Sequence, residues 1–185
     1  MSGLVVALVG TDHHPFDRLV GWMDAFARQH AAAGTRVVVQ HGHSAAPSVA
    51  EGRAFLGHDE LVELVGAAGV VVCHGGPGTI MDARRVGHVP VCVPRDPERG
   101  EHVDGHQLRF AEVAEGAGMV QLATSRDDAL ARVEQSLEAS AQLVASDASA
   151  HAAAARFAHH VDPVVGRRVR RIRSVRRALL SRVSR

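Results

Sequence analysis

The sequence predicts an α/β protein in which a parallel sheet is covered by helices on both faces, with a helical tail behind it. Three observations carry this. Short Val-rich apolar runs alternate along residues 1–140 with longer stretches whose apolar positions recur every three or four residues. One run, Val70–Cys73, leads straight into His74-Gly75-Gly76-Pro77-Gly78-Thr79, the order expected of strand, glycine turn and helix start. The charge then divides: nine of the 21 basic residues and none of the 20 acids fall in residues 163–185, so that segment carries +9 and the remainder −8.

The elements follow in order. Residues 4–9 are a buried strand ending at Gly10-Thr11, and Phe16, Leu19, Met23 and Phe26 mark one face of a helix that runs toward Ala33 and is closed by Gly34. Residues 36–40 form a second strand, and the loop 41–47 follows it. A short strand at 53–56 precedes a helix at 58–68. After Val70–Cys73, Ile80, Ala83 and Val86 give a helix at 79–86. Residues 89–93 are another strand, and 94–100 is a Pro- and charge-rich loop. A helix at 103–117 carries Phe110, Val113 and Ala117 on one face. Residues 119–122 are a last strand, and Ser125 caps a helix with Asp127 and Asp128 in its first turn.

Strands alternating with helices imply a parallel sheet, and ligands of such sheets bind at the carboxyl ends of the strands. That rule gathers residues 11–14, 41–44, 55–58, 74–79 and 95–106 on one rim. The glycines at 75, 76 and 78 let backbone approach a ligand, and free amides near 78–80 would point at an anion. A plain glycine turn would use the same residues. Asp82, three residues beyond Thr79, is placed to accept from a sugar hydroxyl of a ligand held on the loop; a carboxylate there also suits the helix dipole with no ligand.

Composition removes several function classes. No apolar run approaches the ~18 residues that cross a bilayer, and the first residues lack a basic region and a cleavage site, so a cytoplasmic protein is expected. Cys73 and Cys92 each lie within an apolar run and are expected to be buried, reduced thiols. Tyr is absent, leaving Trp22 and five Phe as the aromatic stock, so aromatic stacking on single-stranded nucleic acid is poorly supplied and no nucleic acid partner is expected. Thirteen His raise the question of metal, but His41-x-His43, His13-His14 and His159-His160 show no matching Cys, Asp or Glu set at ligand spacing, and no metal is expected.

The segments 10–20 (Gly-Thr-Asp-His-His-Pro-Phe-Asp-Arg-Leu-Val), 74–82 (His-Gly-Gly-Pro-Gly-Thr-Ile-Met-Asp) and 93–107, with Val-Pro-Arg-Asp-Pro and Glu-His-Val-Asp-Gly-His-Gln, together resemble the C-terminal, donor-binding half of GT-B glycosyltransferases. The match is to family 28 and to the soluble subunit of two-part glycosyltransferases. That group includes the donor subunit of the eukaryotic enzyme that adds the second N-acetylglucosamine to dolichol-linked sugar, and bacterial exopolysaccharide counterparts. The resemblance covers residues 4–140 and implies a Rossmann-like domain, one half of a GT-B fold, over residues 1–140; outside it, residues 141–185 read from their own pattern as an Ala- and Arg-rich amphipathic helical tail.

The resemblance also implies roles. His74, Gly75, Gly76, Pro77, Gly78 and Thr79 would hold the donor diphosphate through backbone amides, with Gly10 and Thr11 closing from the first loop. Asp82 stands where the family usually has Glu and would contact the ribose. Phe55 and Leu56 match the segment that receives the uracil. Glu101 and His102 fall where relatives read hydroxyls of the transferred sugar, and His106 and Gln107 shape the site at the next helix. His13 and His14 are the candidate bases, unless the base comes from a partner. The implied activity is an inverting, metal-independent transfer of a hexose or N-acetylhexosamine from a UDP-sugar, with no cofactor, to a lipid-linked or polysaccharide acceptor. A full GT-B enzyme has two such domains and the length suits one, so a membrane-associated acceptor-binding subunit is the expected partner. A nucleotide-sugar epimerase and a non-catalytic nucleotide-sugar sensor stay open.

In the tail, Val165, Val169, Ile172, Val175, Leu179 and Val183 recur at spacings of three and four opposite most of the Arg residues. A basic amphipathic helix of this kind suits an anionic membrane surface or a partner, with nucleic acid third because no reading motif accompanies the charge, or else it is a solvated extension. The Ala-rich stretch 139–158 is expected to be helix leading into it, and the protein is expected at the inner face of the membrane.

Overall fold

Five β-branched or aliphatic residues in a row, Leu4–Leu8, can be buried on both sides only in a central strand, and that is where β1 lies. The computed structural model describes residues 3–143. The elements are β1 (Leu4–Leu8), α1 (Asp17–His30), β2 (Arg36–Gln40), β3 (Glu51–Arg53), α2 (His58–Ala67), β4 (Val70–Cys73), α3 (Pro77–Arg85), β5 (Val91–Cys92), α4 (His106–Gly116) and β6 (Gln121–Leu122). A further helix, α5, begins at Arg126, and the Ser125 hydroxyl caps it by accepting from the Asp128 amide at 3.2 Å.

All pairings are parallel, in the order β3-β2-β1-β4-β5-β6, the doubly wound Rossmann arrangement. Period two divides the side chains between two layers. Val5, Ala7 and Val9 face Phe16, Leu19, Met23 and Phe26 of the α1 region together with Ala129, Val133 and Leu137 of α5. Val6, Leu8 and Val71 face Val65 and Ala83 on the opposite side. The predicted face of α1 is fully buried, each side chain contributing about 1.5–3 kcal/mol of apolar burial. Cys73 and Cys92 sit in register on neighbouring strands, buried and unbonded. The Cys92 partner and burial push the Cys73 thiol well up, so it stays protonated and unreactive.

Several predicted boundaries shift for identifiable reasons. The third strand is Glu51–Arg53 rather than 53–56, because pairing with β2 ends at Gln40↔Arg53 and the chain then turns away, leaving Phe55 half exposed. The fourth-to-fifth crossover leaves β5 with two residues instead of 89–93, since Pro90 has no amide and Val89 is exposed. α4 starts at His106, not 103, where the Asp104 carboxylate accepts from the His106 amide at 3.0 Å. Its buried residues are Ala111 and Ala114; Val113 and Ala117 point to solvent, contrary to the expected face. β6 is cut to Gln121–Leu122 because the Met119 amide closes α4 on the Ala114 carbonyl. α3 begins at Pro77, two residues early, and Val86 is its exposed C-cap.

The described residues fall almost entirely in one unit, Met1–Ala141. The predicted amphipathic helix of 163–185 and most of the Ala-rich stretch lie outside the described residues. Among those described, no helix is long and apolar enough to cross a membrane.

Candidate functional site

In this strand order the chain leaves β1 toward β2 and later returns to place β4 on the other side of β1. The loops after β1 and β4 therefore diverge, and a crevice opens between them at the carboxyl ends. It is a cleft of about 290 Å³ lined by Leu8, Gly10, Thr11, Gln40, Leu56, Leu61, His74 and Gly76, Pro77, Gly78 and Thr79. Residues nominated from three separate segments of the sequence, 10–11, 56 and 74–79, thus share one wall.

His74 forms the floor. Its Nδ1 lies 3.3 Å from the Leu8 carbonyl, which can only accept, so Nδ1 carries the proton and Nε2 is left as an acceptor. Burial, and then the Arg95 charge, push its pKa down to about 4, so the ring is neutral near pH 7. Two glycines make room for it. A Cβ on Gly10, which has φ 87°, would fall 2.7 Å from His74 Cε1; one on Gly76 would stand 3.0 Å from Cδ2 and Cε1 and closer still to Nε2. Gly75 instead packs on α4, where a Cβ would lie 2.8 Å from Gln107 Cβ. So the glycines at 10, 75 and 76 serve close packing, whereas Gly78 faces open space.

Gln40 fixes the opposite lip and was not singled out in the sequence. Its Oε1 accepts from the Gly10 amide at 3.1 Å, while Nε2 donates to the carbonyls of Gly10 and Ala54, both at 3.0 Å. The side chain is buried and ties the ends of β1, β2 and β3 together.

At the α3 N-terminus Gly76 is the N-cap and Pro77 the first helical residue. The Ile80 amide is taken by the Gly76 carbonyl at 3.2 Å, so the donors left for an anion are those of Gly78 and Thr79, a narrower set than the expected 78–80. Asp82 does not line the cleft; its Oδ1 pairs with Arg85 at 2.7 Å. Leu56 lines it, whereas Phe55 stands outside with its ring edge-on to His43 at 5.3 Å.

Among the described residues Arg95 is the largest fully buried side chain; sequence reasoning placed it in the rim segment 95–106 and in the Val-Pro-Arg-Asp-Pro motif without a role of its own. Its Nη1 donates to the carbonyls of His14 (2.6 Å) and Glu101 (2.8 Å), and Nη2 to that of Val9 (2.8 Å); Nε has no partner among the described residues. The guanidinium lies 5.0 Å from the Phe16 ring centroid. One side chain thereby binds the end of β1, the following loop and the loop after β5. Glu101, expected to read a sugar, is buried and committed: its carboxylate accepts from Arg18 Nε at 2.8 Å and Nη2 at 2.7 Å, and from the Asp96 amide at 2.9 Å. Gln107 lies 3.5 Å from the Arg95 amide, and His106 is exposed.

Asp12 organises the histidines. Its Oδ1 accepts from the His14 amide at 2.8 Å and lies 2.6 Å from His14 Nδ1 and 3.7 Å from His13 Nδ1; Oδ2 lies 3.8 Å from His102 Nε2. Burial pushes the Asp12 carboxyl up, but the His14 amide and imidazole outweigh this and hold it down at about 2. The expectation that His13-His14 lacked an acid at ligand spacing is corrected by this cluster, which the adjacent Asp12 completes. None of the four lines the cleft. His41 and His43 are tied separately, through Nδ1, to the carbonyls of Ser44 and Asp12, both at 3.1 Å.

No curated protein matches the chain. Among solved structures, it is similar to the molybdenum cofactor carrier protein from Chlamydomonas reinhardtii at 16% identity, over 75% of this chain and 99% of that one, with a TM-score of 0.48. It is also similar to the glycosyltransferase SnogD from Streptomyces nogalater at 20% identity, over 78% of this chain and 43% of that one, with a TM-score of 0.46. A third similarity is to the glycotransferase of kitacinnamycin, at 21% identity over 73% and 39% of the two chains, with a TM-score of 0.47. The chain thus spans about two fifths of the length of these two transferases. The model of the glycosyltransferase family 28 C-terminal domain matches residues 4–162, most of the sequence, and the chain belongs to that family.

Proposed function

We propose that this chain is the donor-binding subunit of an inverting UDP-sugar glycosyltransferase, moving a hexose or N-acetylhexosamine to a lipid-linked or polysaccharide acceptor that a membrane-associated partner presents. The observation that carries the proposal is the pair of unpaired amides at Gly78 and Thr79, aimed from the α3 N-terminus into a cleft at the sheet's switch point. Family membership supports a nucleotide-sugar donor and hence a diphosphate at that position. Leu56 and Leu61 supply an apolar wall for the base, and Thr11 a hydroxyl across from the amides.

In this reading the amides stabilise the charge that develops on the leaving diphosphate, with no metal needed inside the cleft. The base that takes the acceptor proton is His14, with Asp12 fixing its tautomer, or a group of the partner. His13, which is largely exposed, is the weaker of the two candidates. The tail 163–185 would hold the protein at an anionic inner membrane surface or on the partner.

The test is to co-express the chain with an acceptor-type partner in membranes, add labelled UDP-sugar, and measure lipid-linked product. Product only when both chains are present is expected. Turnover of UDP-sugar by this chain alone would make it an epimerase, and UDP binding without product in any combination would make it a sensor.

A further inference from the structure

We propose that Asp12, His13, His14 and His102 form a binding site for a divalent first-row transition metal ion, on the rim beside the donor cleft and separate from it. The donor atoms already converge. The ligating atoms of Asp12, His13 and His14 all lie within 4.8 Å of one another. His102 reaches the second carboxylate oxygen from the loop after β5, with Nε2 at 3.8 Å. In a tetrahedral site with donors about 2.0–2.2 Å from the ion, neighbouring donors stand ~3.3 Å apart. The distances from Asp12 Oδ1 to His14 and His13, 2.6 and 3.7 Å, bracket that value. His102 instead faces the other oxygen at 3.8 Å with its ring centroid 6.1 Å from that of His14, so His102 must draw in to complete the sphere.

The donor set selects the ion. Three imidazoles and one carboxylate suit zinc, cobalt, nickel or copper, whereas magnesium and calcium require oxygen. His102 Nδ1 accepts from the Asp104 amide at 3.4 Å, which holds the ring with Nε2 toward Asp12. Arg95, bonded to the His14 carbonyl, opposes a second positive charge nearby, so the four donors must supply the affinity. The ligands come from two rim loops, residues 12–14 and 102, which a bound ion would tie together. The site binds metal whether or not the neighbouring cleft takes a nucleotide sugar; with the ion bound, His14 is a ligand and the acceptor proton passes to a group of the partner instead.

The experiment uses the full chain stripped with a chelator, titrated with zinc by calorimetry and with cobalt by visible absorption. One equivalent with a tetrahedral cobalt spectrum is expected. Asp12→Ala/His14→Ala should lower zinc affinity by well over tenfold, and His102→Gln by at least about tenfold, the scale of loss seen even for outer partners. Far-UV circular dichroism checks that each variant is folded, and His14→Gln alone serves if the double variant is not. His159→Ala/His160→Ala, which removes the other adjacent His pair of the sequence, should leave the affinity unchanged. Parent-like binding by the Asp12/His14 variant, loss of binding in the His159/His160 variant, or no stoichiometric binding at all would overturn the proposal and leave an Asp–His hydrogen-bonded pair.

Discussion

The His74 imidazole occupies the space that a side chain on Gly76 would need, with Cδ2 and Cε1 each 3.0 Å from the position of a Cβ there. A loop that looks built for a phosphate is therefore built first around a histidine. The consequence is that the glycines of this loop do different things, and substitution separates them.

Gly76→Ala should destabilise the domain by about 1–3 kcal/mol, the usual cost of overpacking. Because the obstruction is one ring, His74→Ala should recover most of that loss when the two are combined. Urea unfolding of the two single variants and the double variant measures the coupling. Additive losses would show that the ring is not what Gly76 accommodates.

Gly78 has open space where Gly76 has a ring, and it lines the cleft. Gly78→Val should leave the unfolding midpoint nearly unchanged while weakening both UDP and inorganic pyrophosphate by tenfold or more, about 1.4 kcal/mol. Calorimetry with the two ligands decides the matter. Unchanged affinity for both would remove the anion from the α3 N-terminus.

How much of this was legible depends on how local the cause is. β2 and β4 were placed to the residue, because runs such as Val70–Cys73 signal burial on both faces without outside help. The role of the glycine loop as a cleft wall was legible for the same reason. Arg95 was not: between Pro94 and Asp96 it reads as a solvated loop residue, and its burial depends on carbonyls of Val9 and His14, more than 80 residues earlier. Gln40 is similar, since its partners at Gly10 and Ala54 are supplied by strand register. Asp24 looks like an ordinary helix-surface acid, yet it accepts from the amides of Val49 and Ala50 and from the Ser48 hydroxyl. Burial pushes its carboxyl up, and those hydrogen bonds outweigh it and hold it below the usual range.

Arg95→Lys should be poorly tolerated despite keeping the charge. A lysine ammonium cannot span the carbonyls of Val9, His14 and Glu101 as the planar fork does, and each carbonyl left unpaired costs about 1–3 kcal/mol. A fall in urea midpoint together with weaker UDP binding is expected. A parent-like midpoint would mean that Arg95 does not brace the rim.

Asp82 can reach a ribose only by leaving Arg85, and an exposed pair of this kind is worth about 0–1 kcal/mol, so the exchange is cheap. Asp82→Ala should weaken UDP while leaving pyrophosphate binding as it was. Equal losses for the two ligands would exclude a ribose role and return Asp82 to its pairing with Arg85.

The buried, neutral His74 makes stability depend on pH in a defined window. Its pKa falls from 6.5 to about 4 on folding, so between those values the unfolded chain binds a proton that the folded chain refuses. Stability then rises with pH across the window. Its full value is present above pH 6.5, and acidification to pH 4 removes it at up to about 1.4 kcal/mol per unit, about 3 kcal/mol in all. Asp12, whose pKa drops from 3.8 to about 2, acts in a separate window below this one. His74→Asn keeps a donor for the Leu8 carbonyl and does not titrate. Urea unfolding at pH 7.5 and 4.5 should show a large loss for the parent and a much smaller one for the variant. An equal loss in both would place the acid sensitivity elsewhere and leave His74 protonated at little cost.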